Sequence, residues 1–121
     1  MKIVIGLAVV AILLLAALYL FQRSLLFPMP VENLPSSLPV NVEKISLAQG
    51  HALFVKAEEA GNKKLPVIIY AHGNAEVAHW SIETFSHFTQ QGMHVLLLEY
   101  PGYAGSPGTP SYRARENAAL Q

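Results

Sequence analysis

The first strong pattern in the chain is an unbroken apolar run near its N-terminus, where residues 3–21 carry no charge. As an α-helix rising about 1.5 Å per residue, a run of that length reaches about 28 Å, close to the roughly 30 Å hydrocarbon core of a bilayer. A helix also satisfies its own backbone donors and acceptors, which lipid cannot do. The run therefore predicts a single-pass membrane anchor over residues 1–23, with the lipid bilayer contacting residues 3–21.

A cleaved signal peptide is the alternative interpretation of this run. Apolar cores of signal peptides usually span about 7–15 residues and precede small residues at a cleavage site. This run is longer and ends in Leu-Phe-Gln-Arg, so we favour an uncleaved anchor. Positive charges at Lys2 and Arg23 flank the run, and their balance favours a globular part on the non-cytoplasmic side of the membrane.

Beyond the anchor, the pattern changes to a proline-rich junction and then to strands. Residues 24–39 contain four prolines, which lack an N–H and favour extended backbone, so a semi-rigid junction is predicted. Apolar residues then alternate over residues 40–48 and 51–57, on either side of Gln49-Gly50. Alternation of this kind around a glycine predicts two antiparallel strands joined by a tight turn.

Two continuous apolar runs follow, at residues 65–71 and 93–99. Such runs are typical of parallel strands that are covered on both faces. Between them, residues 81–91 carry apolar side chains three and four positions apart, which predicts a helix that Gly92 ends. A further helix is predicted to begin near Ser111. The chain therefore predicts an α/β fold, in which an antiparallel hairpin precedes parallel strands joined by a right-handed crossover helix.

Composition narrows the classes of function. The formal net charge is zero and no basic stripe is present, so we expect no nucleic-acid partner. The chain has no cysteine, which excludes a disulfide framework, a thiolate metal site and a cysteine nucleophile within it. Four histidines recur at intervals of seven or eight residues: His72, His79, His87 and His94. This spacing does not place metal ligands on one face of a helix, so no metal site is predicted. No cofactor is implied.

Candidate chemistry lies where the two apolar runs end. His72-Gly73-Asn74-Ala75 follows the first run, and a loop rich in glycine and proline at residues 100–108 follows the second. The carboxyl ends of parallel strands meet at one edge of a sheet, where open α/β sheets place their sites. A glycine there lets the next residues turn their N–H groups inward, as acyl transfer requires, and one such donor is worth about 2.7–4 kcal/mol. A plain turn with a buried His72 is the alternative.

Together, HGNAEVAHW and VLLLEYPGYAGSPGTPS resemble the front half of the α/β-hydrolases, and most closely their membrane-anchored branch grouped with serine aminopeptidases and acyl hydrolases. The resemblance covers roughly residues 40–112 and is specific for the fold more than for the substrate. It implies that Asn74 and Ala75 supply oxyanion-hole N–H groups and that His72 and Gly73 shape that loop. It also implies a neighbouring supporting loop made by Gly102, Tyr103, Gly105 and Ser106.

The chain departs from the family's pattern in two respects. Glu99 and Pro101 stand where the family more often has Asp and Arg. The family's G-x-S-x-G nucleophile elbow, its acid and its catalytic histidine would all follow this region, and no G-x-S-x-G is present. Ser106 lies in a G-S-P-G context that does not form an elbow, so no nucleophile is predicted within the chain.

We therefore interpret residues 40–121 as an incomplete α/β-hydrolase domain. The chain would be the N-terminal fragment of a membrane-anchored serine hydrolase that cleaves ester, thioester or amide bonds of a small acyl or peptide substrate through an acyl-enzyme. By itself it is expected to be inactive. If the sheet order follows the family, the strand at residues 65–71 would have a free edge, and residues 96–98 would not all be buried.

Two rival interpretations use the same residues. A dinucleotide-binding fold needs G-x-G-x-x-G directly after a first strand, but Gly102, Gly105 and Gly108 are spaced three apart, so we discard it. A non-catalytic, membrane-tethered module or pseudoenzyme stays possible as an interpretation. It differs from the hydrolase only in lacking the nucleophile, the acid and the catalytic histidine. The reading frame downstream of codon 121 would separate this module from the hydrolase. Acyl chain length, leaving group and oligomeric state also stay open.

Overall fold

The structure is a computed structural model that describes residues 1–28, 30, 32–48, 50–58 and 64–110. It begins with a long helix, α1, at Lys2–Leu26. Four strands follow: β1 at Val42–Leu47, β2 at Gly50–Val55, β3 at Val67–Ala71 and β4 at His94–Glu99. The helix predicted near Ser111 lies outside the described residues.

Helix α1 has the length and apolar composition needed to cross a membrane. The rest of the chain buries none of its residues, so its apolar side chains are free to face lipid. A signal sequence near an N-terminus meets the same criteria. The helix continues beyond residue 23 and ends at Leu26, where Phe27 N–H closes the last turn on Arg23 O at 2.8 Å. Pro28 follows and disfavours helical backbone in the residue before it.

The four strands form one mixed sheet in the order β1-β2-β4-β3. Strands β1 and β2 are antiparallel, as the alternating pattern predicts, and β2 and β4 are also antiparallel. Strands β3 and β4 are parallel neighbours. This topology confirms the predicted α/β fold class, with a hairpin that leads into parallel strands.

The core lies on the face of the sheet that the crossover between β3 and β4 covers. Leu97 on β4 is opposite Leu53 on β2 and Tyr70 on β3, and both leucines are fully buried. Ile82 and Phe85 from the crossover pack against this cluster. The two central strands, β2 and β4, therefore carry most of the buried residues of the sheet, because each has a neighbouring strand on both sides.

The single helix predicted for residues 81–91 is wrong in detail. The crossover instead contains a 3₁₀ turn at Ala78–Trp80 and two short helices, α2 at Ser81–Thr84 and α3 at Ser86–Gln90. Phe85 separates α2 from α3, and its ring packs on Tyr70 with centroids 4.7 Å apart. The packing of the Phe85 ring onto the sheet favours a break between α2 and α3 over one continuous helix. Thr89 Oγ1 also donates to Ser86 O at 2.8 Å, a contact that bends helices.

The prediction that the strand at residues 65–71 is covered on both faces is also wrong for its described residues. Val67 and Ile69 on β3 are 48% and 67% exposed, whereas Ile68 and Tyr70 on the opposite face pack against the core. Among the described strands, β3 pairs with β4 alone, which leaves its other edge free as expected. Within residues 96–98, Leu97 and Leu98 are buried and Leu96 is only partly so, which matches the limited cover.

Candidate active site

The two loops singled out from the sequence lie side by side at the carboxyl ends of β3 and β4. The first loop, residues 72–77, begins where β3 ends, and the second, residues 100–110, begins where β4 ends. Tyr103 connects them, because its hydroxyl donates to Asn74 Oδ1 at 3.4 Å and its ring centroid lies 5.5 Å from that of His72. The expected proximity of the two loops is therefore confirmed.

Each loop contains an alanine in the left-handed region of backbone space. Ala75 has φ 62° and Ala104 has φ 44°. Glycine adopts this conformation freely, but for an alanine it costs roughly 1–2 kcal/mol. Strain of this kind persists only where the surroundings enforce it, and it is concentrated at functional sites. The two alanines thus indicate loops whose shape is imposed by their contacts.

Glu99, the last residue of β4, supplies the main contacts that fix the first loop. Its carboxylate is fully buried and contacts His72 Nε2 at 2.8 Å. It also accepts hydrogen bonds from the N–H of Ala78 at 2.9 Å and of Tyr100 at 3.2 Å. One carboxylate therefore ties together the start of the first loop, the 3₁₀ turn and the start of the second loop.

The ring of His72 is held at both nitrogens. Its Nδ1 lies 2.8 Å from Gly73 O and its Nε2 faces Glu99. A carbonyl oxygen can only accept, so Nδ1 is the donor in the contact with Gly73 O. With both nitrogens engaged and the side chain fully buried, His72 orients the loop and is closed off from a substrate.

The backbone amides of the first loop differ in their partners. Gly73 N–H donates to Glu76 Oε2 at 2.9 Å, so it is already used. Ala75 is exposed, and among the described residues no acceptor takes its N–H. The Asn74 side chain donates from Nδ2 to Leu26 O at 2.8 Å. Among the described residues, the Ala75 N–H therefore takes no part in the loop's internal hydrogen bonds.

The second loop is a compact turn that glycines make possible. Gly102 has φ 85°, and a Cβ there would lie 2.7 Å from Pro110 Cδ, which is too close for any side chain. Ser106 N–H closes the turn on Tyr103 O at 2.7 Å. Gly105, at φ 75°, lies between them. This geometry puts the buried Tyr103 ring against Val77 of the first loop, and the second loop therefore supports the first.

Ser106 makes a buried contact that the sequence did not predict. Its Oγ lies 2.8 Å from His51 Nδ1, and both residues are buried. Burial, the largest cause, lowers the pKa of His51 and favours its neutral form. His51 Nε2 is buried and has no hydrogen-bond partner among the described residues, so no third group orients this ring. A serine nucleophile needs a base that a third group orients, and the described residues supply no such group at His51. The prediction that Ser106 is not the nucleophile stays a prediction.

The junction after α1 lies against the site loops. Glu32 accepts from His79 Nε2 and from Trp80 Nε1, each at 3.0 Å, and Leu34 N–H donates to Ala104 O at 3.4 Å. The hydrogen bond from His79 lowers the pKa of Glu32. These contacts join positions 47 to 70 residues apart, and no local pattern in the sequence indicates them.

Sequence reasoning therefore found the two loops but missed two acidic residues that organise them. In the sequence, Glu99 stands out only as a departure from the family's usual aspartate, although its position at the carboxyl end of a strand is a usable signal. Glu32 gave no signal at all. Within the described residues, no group of three or more His, Asp or Glu side chains is arranged to hold a metal ion.

Known proteins are similar to about half of this chain. Lysophosphatidylserine lipase ABHD12 of Bos taurus is 35% identical over 65 residues, which are 52% of this chain and 16% of that protein. The proteins of the same name from Gallus gallus and Danio rerio are 35% and 32% identical over 65 residues, again 52% of this chain and 17% of each relative. No protein-family model and no solved structure matches the chain.

The chain spans about a sixth of the length of these curated relatives. The comparison supports the resemblance seen in the sequence: about half of this chain is homologous to a part of the ABHD12 lysophosphatidylserine lipases.

Proposed function

We propose that this chain forms the membrane anchor and the oxyanion-hole side of a serine hydrolase that cleaves ester, thioester or amide bonds through an acyl-enzyme. The observation that carries the proposal is the exposed Ala75 N–H, which has no acceptor among the described residues and lies at the sheet edge beside the second loop. In this proposal the nucleophile, the acid and the catalytic histidine come from outside the chain. Asn74 contributes its backbone N–H beside that of Ala75.

The proposed chemistry needs donors that stay fixed while charge develops. When a serine hydroxyl adds to the substrate carbonyl, its proton passes to the base and the carbonyl oxygen becomes an oxyanion. Hydrogen bonds from Ala75 and Asn74 would stabilise that oxygen by about 2.7–4 kcal/mol each. The tetrahedral species then expels the leaving alcohol, thiol or amine, and water hydrolyses the acyl-enzyme. Glu99 and Tyr103 support this step indirectly, because they hold the loop in place.

The substrate class follows from the relatives and the anchor. The relatives are named lysophosphatidylserine lipases, and α1 is long and apolar enough to lie in a bilayer. We therefore propose a lipid ester with a single acyl chain as the substrate, reached from the membrane surface. Placement of the globular part on the non-cytoplasmic side is part of the same proposal.

A fluorophosphonate probe, which phosphonylates activated serines, tests this proposal. The protein expressed from the complete gene should be labelled at a serine beyond residue 121, and the chain 1–121 alone should not be labelled. A Ser106→Ala variant of the complete protein should be labelled as strongly as the wild type. Labelling of the chain 1–121, or loss of labelling in Ser106→Ala, would contradict the proposal. A complete protein that takes up no label would support a non-catalytic, membrane-tethered module.

A further inference from the structure

An open cavity of about 190 Å³ lies between the end of α1 and the end of the second loop. From α1 and its continuation, the cavity is lined by Arg23, Ser24 and Phe27, and from the loop by Thr109 and Pro110. The function proposed above uses none of these residues. The cavity therefore borders the candidate site but still requires its own explanation.

The lining of the cavity suits an alkyl chain. Phe27 and Pro110 contribute rings, and the methylene stem of Arg23 adds apolar surface below its charged head. An apolar protein cavity of about 150 Å³ holds a benzene molecule, so this one has room for an alkyl segment of about six carbons. Its open side lets the rest of a longer chain continue outside.

The cavity shares its walls with the candidate site. Pro110 packs on Gly102, at the base of the second loop. On the helix side, Leu26 O accepts the hydrogen bond from Asn74 Nδ2 at 2.8 Å. A chain held in the cavity would thus lie beside the residue that precedes Ala75, which places one end of a lipid near the proposed oxyanion donors.

The positive charge of Arg23 at the cavity favours a lipid with a negatively charged headgroup. Arg23 stands in the last turn of α1, where a helix that crosses a bilayer meets the lipid headgroups. Among the described residues, no carboxylate lies within ion-pair distance of its guanidinium. A guanidinium binds phosphate oxygens in a bidentate fashion. A mostly apolar lining and a cationic side chain therefore meet at the end of α1.

We propose that this cavity binds the acyl chain of an anionic, single-chain phospholipid that enters sideways from the bilayer, with its phosphate at Arg23. The inference rests on the membrane-anchored hydrolase proposed above and adds the place at which its substrate is held. Binding here needs no nucleophile, so it can be tested separately from catalysis.

Photocrosslinking in nanodiscs tests the site directly. The protein from the complete gene is mixed with a lysophospholipid that carries a diazirine in its acyl chain, irradiated and digested, and crosslinks are mapped by mass spectrometry. We expect labelling of Phe27 and of residues 109–110 to exceed that of Leu13 in the middle of α1. Ser24→Trp should fill the cavity and reduce labelling of residues 109–110 by about tenfold, the effect of losing one or two methylene contacts.

Two controls make the result decisive. Gln22→Trp adds the same bulk to the last turn of α1 at a position that does not line the cavity, so it should leave the labelling of residues 109–110 unchanged. Labelling of Leu13 reports correct insertion of both variants. Uniform labelling along α1, or labelling of residues 109–110 that Ser24→Trp does not reduce, would overturn the site.

A diazirine-bearing fatty alcohol tests the charge. It has the chain but lacks the phosphate, so it should label residues 109–110 more weakly than the lysophospholipid does. Equal labelling by the two probes would overturn the role of Arg23. Retained labelling in a protein that shows no hydrolysis would reject the proposed function and keep the lipid site, so the two failures are distinguishable.

Discussion

Glu99 concentrates more of the site's hydrogen bonding than any other side chain described above. Glutamine has nearly the same side-chain shape as glutamate. One carboxylate oxygen of Glu99 becomes an NH₂ group, however, and this group would face an N–H that now donates to that oxygen. Breaking a buried, hydrogen-bonded pair of this kind costs about 3–5 kcal/mol. We predict that Glu99→Gln lowers the free energy of unfolding by about that amount and speeds hydrogen exchange at the Ala78 and Tyr100 amides.

Glu43→Gln is the matched control for this prediction. Glu43 pairs with Lys56 at the surface, where both side chains are largely exposed, so its loss should change unfolding only slightly. Equal effects of Glu43→Gln and Glu99→Gln, measured by denaturant unfolding in nanodiscs, would show that the Glu99 network does not hold the loops.

His51 makes stability depend on pH. Burial, followed by the charges of Lys44 and His79, lowers the pKa of His51, although Glu99 acts in the opposite direction. The unfolded chain then binds a proton at about pH 6.5 that the folded chain does not yet bind, so the free energy of unfolding falls as the pH drops below that value. His51→Gln keeps a partner for Ser106 and should lose less stability between about pH 7.5 and pH 5.5 than the wild type. An unchanged pH dependence would contradict this.

At the residue scale, the sequence located the site loops but not the contacts that fix them. His72 through Ala75 were visible because a glycine directly after an apolar run marks a turn at the end of a strand. The hydrogen bonds of Glu99 to His72 and Ala78 depend on the packing of a strand against a turn, which no short pattern encodes. The positive φ of Ala75 is likewise imposed by tertiary contacts, since alanine has no preference for it.

At the scale of elements, the junction after α1 is a docked segment. Its Glu32 binds the 3₁₀ turn through His79 and Trp80, and Trp80 is the single tryptophan of the chain. We predict that Glu32→Ala, in the chain 1–121 held in nanodiscs, loosens this contact and makes Trp80 more accessible to acrylamide quenching. Glu43→Ala removes an equivalent charge far from Trp80 and should leave quenching as it is. Equal quenching in the Glu32 variant and the wild type would mean that the junction is not docked.

The positions of the strands followed from the sequence because hydrophobic periodicity is a local property. The shape of the crossover did not, because Phe85 packs onto β3 and interrupts a helix that its neighbours' spacing favours. The exposure of Ile69 was not predicted from the sequence either. An apolar run indicates a strand whose side chains can be buried, but only the sheet order shows how many neighbouring elements bury them.

At the scale of the whole molecule, the free edge of β3 and its exposed apolar face should govern solution behaviour. An uncovered apolar edge strand promotes aggregation, and Ile69 is 67% exposed. We predict that the fragment 24–121, expressed without α1, is insoluble or binds hydrophobic dyes as a molten state does. A cooperative thermal transition of a monomeric 24–121 fragment would contradict this.

A charge placed on that face tests the cause. Ile69→Lys should raise the soluble fraction of the fragment 24–121, because a lysine on an edge strand opposes intermolecular pairing. Val40→Lys makes the same change at a fully exposed position outside the strands and should have little effect. Equal gains from both variants would assign the effect to net charge and not to β3.

The most direct test of the central claim is the NMR signal of the Ala75 amide when an oxyanion mimic is bound. Labelling with ¹³C-carbonyl asparagine and ¹⁵N-alanine selects Asn-Ala pairs, which include Asn74-Ala75 and Asn117-Ala118, and an Ala75→Gly variant identifies the Ala75 signal by its loss. In the protein from the complete gene, reaction with a fluorophosphonate should shift the Ala75 amide proton downfield, as a new hydrogen bond to a charged oxygen requires. An Ala75 signal that stays in place in the fully phosphonylated protein would contradict the account.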